Sequence, residues 1–250
     1  MNPFDLTGKT AVVTGGARGL GVGVTRSLLA AGSDVIIMSR GTISSALYTH
    51  ARECGRNLRY EKTDLADRQS VERAAGNILA ENSVDILVNN AGTQDRHPAV
   101  DFPIDSWDRV LQTNLTAVFQ LCQIFGAPMV ERGDGKIINL ASLLSFQGGI
   151  TVPAYAASKG AVAQLTKALC NEWSAHGVNV NAIAPGYMAT DMNEQLIADP
   201  VRSTEILSRI PAGRWGKAED IGDTVVFLAS RAAAYIHGHI LVVDGGWMAR

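Results

Sequence analysis

The sequence predicts an α/β fold: a single doubly wound domain whose seven-stranded parallel sheet is flanked by helices on both faces. Three observations predict it. Short β-branched and apolar runs alternate with longer segments of helical periodicity along all 250 residues. The first such run opens into a glycine-rich turn, Thr14-Gly-Gly-Ala-Arg-Gly-Leu-Gly21, where open α/β sheets bind ligands. No shift in composition and no internal repeat divides the chain, so residues 1–250 read as a single domain.

In chain order, Thr10–Val13 is the first strand, and the helix Leu20–Ala31 starts inside the glycine turn and closes at Gly32, the residue type that tolerates a left-handed C-cap. Val35–Met38 and Leu58–Thr63 are the next strand runs, followed by the helix Ser70–Glu81 and the apolar strand Ile86–Asn89. A long helical pattern covers Ile104–Gly126, then come the strand Lys136–Leu140 and the helix Ala154–His176, closed by Gly177. Asn179–Ile183, the helix Ala218–Ser230 and the strand Ile240–Val243 complete the sheet. The stretch Ala189–Arg209 is weakly patterned, polar and interrupted by Pro200; lying after the sixth strand, it is a candidate substrate lid, 189–209.

Composition narrows the class. Hydrophobic residues at 46% and charged residues at 18% exclude a disordered chain, and a net charge of −2 gives no reason to expect nucleic acid or membrane as partners. Cys54, Cys122 and Cys170 are far apart, with no C-x-x-C or Cys/His cluster, so buried free thiols and no metal are expected. The N-terminus has no basic region followed by an apolar run and no stretch reaches membrane-spanning length, so a cytoplasmic protein is expected.

The chemistry is carried by two patterns. Gly15, Gly19 and Gly21 permit a tight turn and close backbone approach, and the helix beginning there aims free N–H groups at a pyrophosphate. Their spacing is G-x-x-x-G-x-G, not the commoner G-x-G-x-x-G. Tyr155 and Lys159, one helical turn apart, share a face if Pro153 opens a helix, and Ser142 lies just upstream. A phenol titrates near pH 10, and an ammonium held within roughly 4–6 Å lowers that value toward the range useful for acid–base catalysis. The trio therefore points to an enzyme, with Ser142 bonding the oxygen that is reduced or oxidised.

Taken in order, the glycine turn, Asp64-Leu65, Asn89-Asn-Ala-Gly92, Asn114, Ser142, Tyr155/Lys159 and Pro185-Gly186 make the chain resemble the short-chain dehydrogenase/reductase family over essentially its whole length. The resemblance implies a Rossmann-type fold and a catalytic set of Asn114, Ser142, Tyr155 and Lys159. Tyr155 would exchange a proton with the substrate oxygen, Ser142 would position that oxygen, Lys159 would bind the nicotinamide ribose, and Asn114 would hold a water linking the lysine to solvent. It further implies cofactor contacts from Gly15, Gly19, Leu20 and Gly21, from Asp64 and Leu65 to adenine, from Asn90, Ala91 and Gly92, and from Pro185, Gly186, Met188 and Thr190 to the carboxamide.

An acid at the end of the second strand would bond the adenosine ribose and repel a 2′-phosphate. Here that strand ends Ile37-Met-Ser-Arg40, and Asp34 lies at its other end. Ser39 and Arg40, with Arg18 inside the glycine turn, can receive a phosphate, an arrangement that resembles NADP-preferring members. NADP(H) is therefore favoured, with NAD(H) the alternative if Arg40 only stacks on adenine.

Three stretches, Ser142 to Gly149, Ile183 to Thr190 and Ile210 to Gly216, with the ending Val243-Asp-Gly-Gly-Trp-Met-Ala-Arg250, resemble the subgroup acting on sugar acids, which includes 2-deoxy-gluconate 3-dehydrogenase, 2-dehydro-3-deoxy-gluconate 5-dehydrogenase and gluconate 5-dehydrogenase. Arg96 is the candidate carboxylate anchor, or else a solvated loop residue, in which case the anchor moves to Arg202, Arg209 or Arg214; Gln147 can bond a sugar hydroxyl. The alternatives are a general 3-oxoacyl or carbonyl reductase and a non-catalytic dinucleotide-sensing module. Apolar residues on several faces of the two long helices, Val118, Phe119, Leu121, Ala161, Leu165 and Leu169, together with the family resemblance, imply a homotetramer.

Overall fold

A computed structural model describes residues 2–250. The strands are β1 (Thr10–Thr14), β2 (Asp34–Ser39), β3 (Leu58–Lys62), β4 (Ile86–Asn89), β5 (Gly135–Leu140), β6 (Val178–Pro185) and β7 (Ile240–Val243). They form one sheet in the order β3-β2-β1-β4-β5-β6-β7, and every pairing is parallel. The helices are α1 (Leu20–Ala30), α2 (Ser45–Glu53), α3 (Arg68–Glu81), α4 (Ile104–Leu111), α5 (Ala117–Arg132), α6 (Pro153–Trp173), α7 (Glu194–Ala198), α8 (Pro200–Arg209) and α9 (Ala218–Ala229). None of the described helices is long and apolar enough to cross a membrane.

Side chains alternate across a strand, so one apolar run supplies two cores. Ala11, Val13, Val35, Ile37, Ile86 and Val88 pack with α1 and α9, whereas Val12, Ile36, Met38, Leu87 and Ile137 pack with α3 and α5 on the other face. Glycine lets α1 and α9 approach closely, since a β-carbon at Gly222 would strike the Gly23 carbonyl oxygen and Ser27 Oγ. The strand order reverses between β1 and β4, which leaves a crevice at the carboxyl ends of both.

The structure departs from the sequence expectation in several places, each with a local cause. Helix α2 was absent from the predicted elements because only Leu47 and Ala51 on it are buried, too few to give a period. The predicted helix Ile104–Gly126 is α4, a π turn at Gln112–Thr116, and α5 running on to Arg132 with Pro128 inside it. Gly126 is no terminator; a β-carbon there would lie 2.7 Å from the Trp173 ring, so the glycine lets α5 pack against α6. The helix stops instead at Gly133, in the left-handed conformation at φ 75.

The stretch 189–209 is also largely helical. Pro200 opens α8 rather than breaking it, with Asp199 accepting hydrogen bonds from the Val201 and Arg202 amides. Of the six residues expected to overfill the faces of the long helices, Val118, Leu121 and Leu169 lie in the protein's own core; Phe119, Ala161 and Leu165 keep exposure. Gly32 and Gly177 close their helices at φ 97 and 74, as expected. Cys122 and Cys170 are buried free thiols and Cys54 is half-buried; burial pushes the Cys122 thiol up to about 12.

Candidate active site

A cleft of about 820 Å³ lies at the carboxyl ends of the central strands. Its cofactor half is built on the turn after β1. Gly15 and Gly19 have φ of 65 and 52, where a side chain would be strained, and a β-carbon on Gly21 would collide with the Gly15 carbonyl oxygen. The turn is clamped from β4: Asn90 Nδ2 donates to the Thr14 oxygen at 2.9 Å and the Ala91 amide donates to Thr14 Oγ1 at 3.0 Å. Thr14, which the sequence reading did not single out, thereby joins the two strands that flank the crevice.

Arg18, Gly19, Leu20, Ser39, Arg40, Asp64, Leu65, Asn90, Ala91, Gly92, Pro185, Gly186, Met188 and Thr190 all line this cleft with Gly15. Gly21 does not, since it is packed under the turn. Among the second-strand candidates, Arg18 reaches across to Gly41, where a β-carbon would lie 3.6 Å from its guanidinium nitrogen. Arg18 and Arg40 thus both line the cleft at the end of β2, and that strand end carries no carboxylate. The Ser39 hydroxyl donates to the Gly41 carbonyl at 2.8 Å, and Asp34 sits at the opposite end of β2 bonding Asn57. The glycine cradle and this pair of cations fit a dinucleotide carrying a 2′-phosphate.

Beyond it, Ser142, Tyr155 and Lys159 meet. Pro153 occupies the first turn of α6, which places Tyr155 and Lys159 one turn apart facing the end of β5. Lys159 is buried, its ammonium donates to the Leu140 carbonyl at 2.5 Å, and it lies 5.7 Å from the centre of the Tyr155 ring. Burial pulls its pKa down to about 8. Tyr155 keeps partial exposure to the cleft, yet enclosure of the phenol raises its pKa, with the hydrogen bond to Ser142 acting in the opposite sense. The lowered tyrosine pKa expected from the lysine alone is therefore not found: desolvation is the larger effect.

Ser142 Oγ accepts the Leu144 amide at 3.2 Å, which leaves its own proton available. Ser145, missed in the sequence, accepts from the Ser142 amide at 3.3 Å and donates to the Lys159 carbonyl at 2.7 Å, pinning the serine loop to the helix that carries the other two groups. Asn114 sits in the π turn, fully buried and outside the cleft wall. Its amide donates to the Thr93 carbonyl and its oxygen accepts the Thr93 amide, both at 2.8 Å, and it bonds Ser158 of α6 at 3.1 Å. A π turn tips a side chain out of the regular ladder; here it ties the loop after β4 to α6.

Arg96 and Gln147 both line the cleft beyond the serine. Arg96 is exposed on the loop after β4, beside Asp95, which pairs with Arg109 at 2.7 Å. That loop is joined to the one preceding α6 by the His97 amide donating to the Thr151 carbonyl at 3.0 Å, and Thr151 holds a φ of 63, in the left-handed region. Gln147 accepts a hydrogen bond from Trp247 Nε1 at 3.4 Å. Of the alternative anchors, Arg202 and Arg209 line the cleft and Arg214 does not; Trp247 and Tyr187 are further cleft residues that sequence periodicity could not reveal, since they lie on separate elements. Among the described residues no cluster of His, Cys, Asp and Glu has the geometry of a metal site.

A family model described as enoyl-(acyl carrier protein) reductase matches residues 15–248. The 2-dehydro-3-deoxy-D-gluconate 5-dehydrogenase of Bacillus subtilis is 51% identical over 247 residues, covering 99% of this chain and 97% of that protein. The structure of a provisionally assigned 2-deoxy-D-gluconate 3-dehydrogenase from Agrobacterium tumefaciens with bound NADP is 48% identical, with TM-score 0.94 and full coverage of both chains. That of a provisionally assigned NAD(P)-dependent gluconate 5-dehydrogenase from Beutenbergia cavernae, with NADP at low occupancy, is 45% identical, with TM-score 0.96 and full coverage of both chains.

Proposed function

The chain belongs to the short-chain dehydrogenase/reductase family, and from that premise we propose that it is an NADP(H)-dependent oxidoreductase interconverting a secondary alcohol and a ketone on a sugar acid of the gluconate type. The observation that carries the reaction type is the convergence of Ser142, Tyr155 and Lys159 in one cleft with the glycine cradle. The substrate class is supported by likeness to the gluconate-type relatives, and the cofactor by Arg18 and Arg40 at the end of β2 together with the NADP bound in similar proteins.

The nicotinamide cofactor supplies or accepts the hydride. The protein's own groups handle the proton and the positions. Tyr155 gives its phenolic proton to the substrate oxygen in reduction and takes it back in oxidation, while the Ser142 hydroxyl, already anchored by the Leu144 amide, donates to that same oxygen. Lys159 binds the ribose and assists the tyrosine, and Asn114, bonded to both Thr93 and Ser158, holds the lysine's surroundings and the water that returns the proton to solvent. Arg96 and Gln147 face the substrate, and 189–209 closes over it as a lid.

The test is absorbance at 340 nm with both cofactors against sugar acids, neutral polyols, apolar ketones and a 3-oxoacyl thioester. Turnover of sugar acids with NADP(H) is expected. Turnover confined to apolar ketones or the thioester would replace the sugar acid with the general reductase reading, and cofactor binding without any turnover would favour a sensor. We further propose a cytoplasmic homotetramer, with the apolar Phe119, Ala161 and Leu165 of α5 and α6 in one interface and the C-terminal segment in another. A monomer in sedimentation at micromolar concentration would refute the assembly.

A further inference from the structure

We propose that the carboxylate of the substrate is bound by Arg209, preset for this by stacking on Trp247 of the C-terminal turn. The proposal rests on the sugar-acid reading and names the group that recognises the acid.

Besides Arg18 of the glycine turn, five arginines line the cleft, and their surroundings separate them. Arg109 is paired with Asp95 at 2.7 Å, and Arg202 lies 3.9 Å from Glu205. Arg40 lines the cleft with Arg18 at the end of β2. Arg96 is on an exposed loop next to the carboxylate of Asp95, and among the described residues no aromatic ring stacks on it. Arg214, a further candidate from the sequence, is outside the cleft wall and forks onto Asp220 at 2.7 and 2.9 Å.

Arg209 is different. Its guanidinium carbon lies 3.9 Å from the centre of the Trp247 ring, and no carboxylate among the described residues is within ion-pair distance. A guanidinium stacked through its face keeps its N–H edge free, and that edge can grip a carboxylate with two parallel hydrogen bonds. The ring beneath is itself fixed: Trp247 is buried, tilted against Tyr187 at 4.6 Å, and bonded to Gln147. Asp244 shapes the turn that carries it, accepting the Gly246 and Met248 amides, each at 2.8 Å.

Trp247 also shares one apolar cluster with Ile206 and Ile210, which bracket Arg209, and with Leu143, the neighbour of Ser142. The cation is thus held at a set place relative to the catalytic serine. Ordering a long, flexible side chain beforehand removes part of the entropic cost of binding. Gln147, whose oxygen is taken by Trp247, keeps its amide hydrogens for a hydroxyl of the same substrate. Arg209 on α8 and Gln147 on the serine loop, joined through Trp247 of the C-terminal turn, would therefore read both ends of what distinguishes a sugar acid from a plain ketone.

The experiment is steady-state kinetics with NADP(H) on a sugar acid and on a neutral polyol or ketone of similar size. Arg209→Met is expected to raise KM for the sugar acid by at least about tenfold, the loss of a charge-assisted pair, with KM for the neutral compound unchanged. Arg209→Lys, which keeps the charge and loses the fork, is expected to fall between. An unchanged KM for the acid in Arg209→Met, or equal effects on acid and neutral compounds, overturns the assignment while wild-type turnover of sugar acids leaves the parent reading intact. Absence of wild-type turnover on every sugar acid overturns both. Arg209 is exposed, and an unchanged melting temperature in Arg209→Met separates loss of binding from loss of fold.

Discussion

Replacing Lys159 by methionine is expected to make the protein more stable and inactive at once. Lys159 is only 4% exposed and the pKa of its ammonium is drawn from 10.5 to about 8 by burial alone. Each pKa unit corresponds to about 1.4 kcal/mol, so holding this charge inside costs about 3 kcal/mol near neutrality. Methionine has nearly the same length and no charge, and it forfeits the charge-assisted hydrogen bond to the Leu140 carbonyl, which offsets about 1.5–3 kcal/mol. The net gain is about 1 kcal/mol at pH 7, or roughly 2–4 °C in melting temperature for a chain of this size.

The sign with pH follows from proton counts. Below pH 8 both the folded and unfolded lysine are protonated and the full cost is present. Between about 8 and 10.5 the unfolded chain holds a proton that the folded one has released, so wild-type stability rises with pH and the advantage of the variant shrinks. Thermal or urea unfolding of both proteins without cofactor, at matched concentration and several pH values, measures this. A variant less stable than wild type at pH 7, or a difference that does not change between pH 7 and pH 10, would refute the reasoning.

Three further outcomes are expected. Tyr155→Phe should lower turnover by at least roughly 10²–10⁴-fold with cofactor affinity nearly unchanged in a fluorescence titration; retention of a tenth of the activity would remove Tyr155 from the proton transfer. Arg40→Ala should raise KM for NADP(H) about tenfold or more and leave NAD(H) nearly untouched, since one charge-assisted bond is lost; equal losses for both would mean that the arginine stacks on adenine. Gly126→Ala should destabilise by about 1–3 kcal/mol, because its methyl would press on the Trp173 ring at 2.7 Å; unfolding at the wild-type midpoint would show that α5 and α6 part without cost.

The centre of the sheet was legible because β1, β2, β4, β5 and β6 bury both faces, so Val12, Ile36 and Leu87 keep an unbroken apolar run even though they serve a different core from their neighbours. Tyr155 and Lys159 were legible because helical spacing alone brings them together. Their protonation behaviour was not, since it depends on how tightly β5 and the serine loop close over them. Gly126 misled for a related reason: a glycine that ends a helix and one that admits a neighbour's ring are the same letter. Arg209 and Trp247 meet only through tertiary packing, and neither lies in a local pattern that would single it out.

The bond from the His97 amide to the Thr151 carbonyl, beside Thr151's φ of 63, joins the two rims of the cleft into one mechanical part. A change of sequence in residues 93–98 alters the seat of Thr151, and a change in 146–152 alters the partner of His97. Substrate preference would then drift by paired replacements across a gap of more than fifty positions, and a graft of either rim alone onto a relative would carry half a hinge. Exchanging both together is the smallest transplant that preserves the strained residue and the contact beside it.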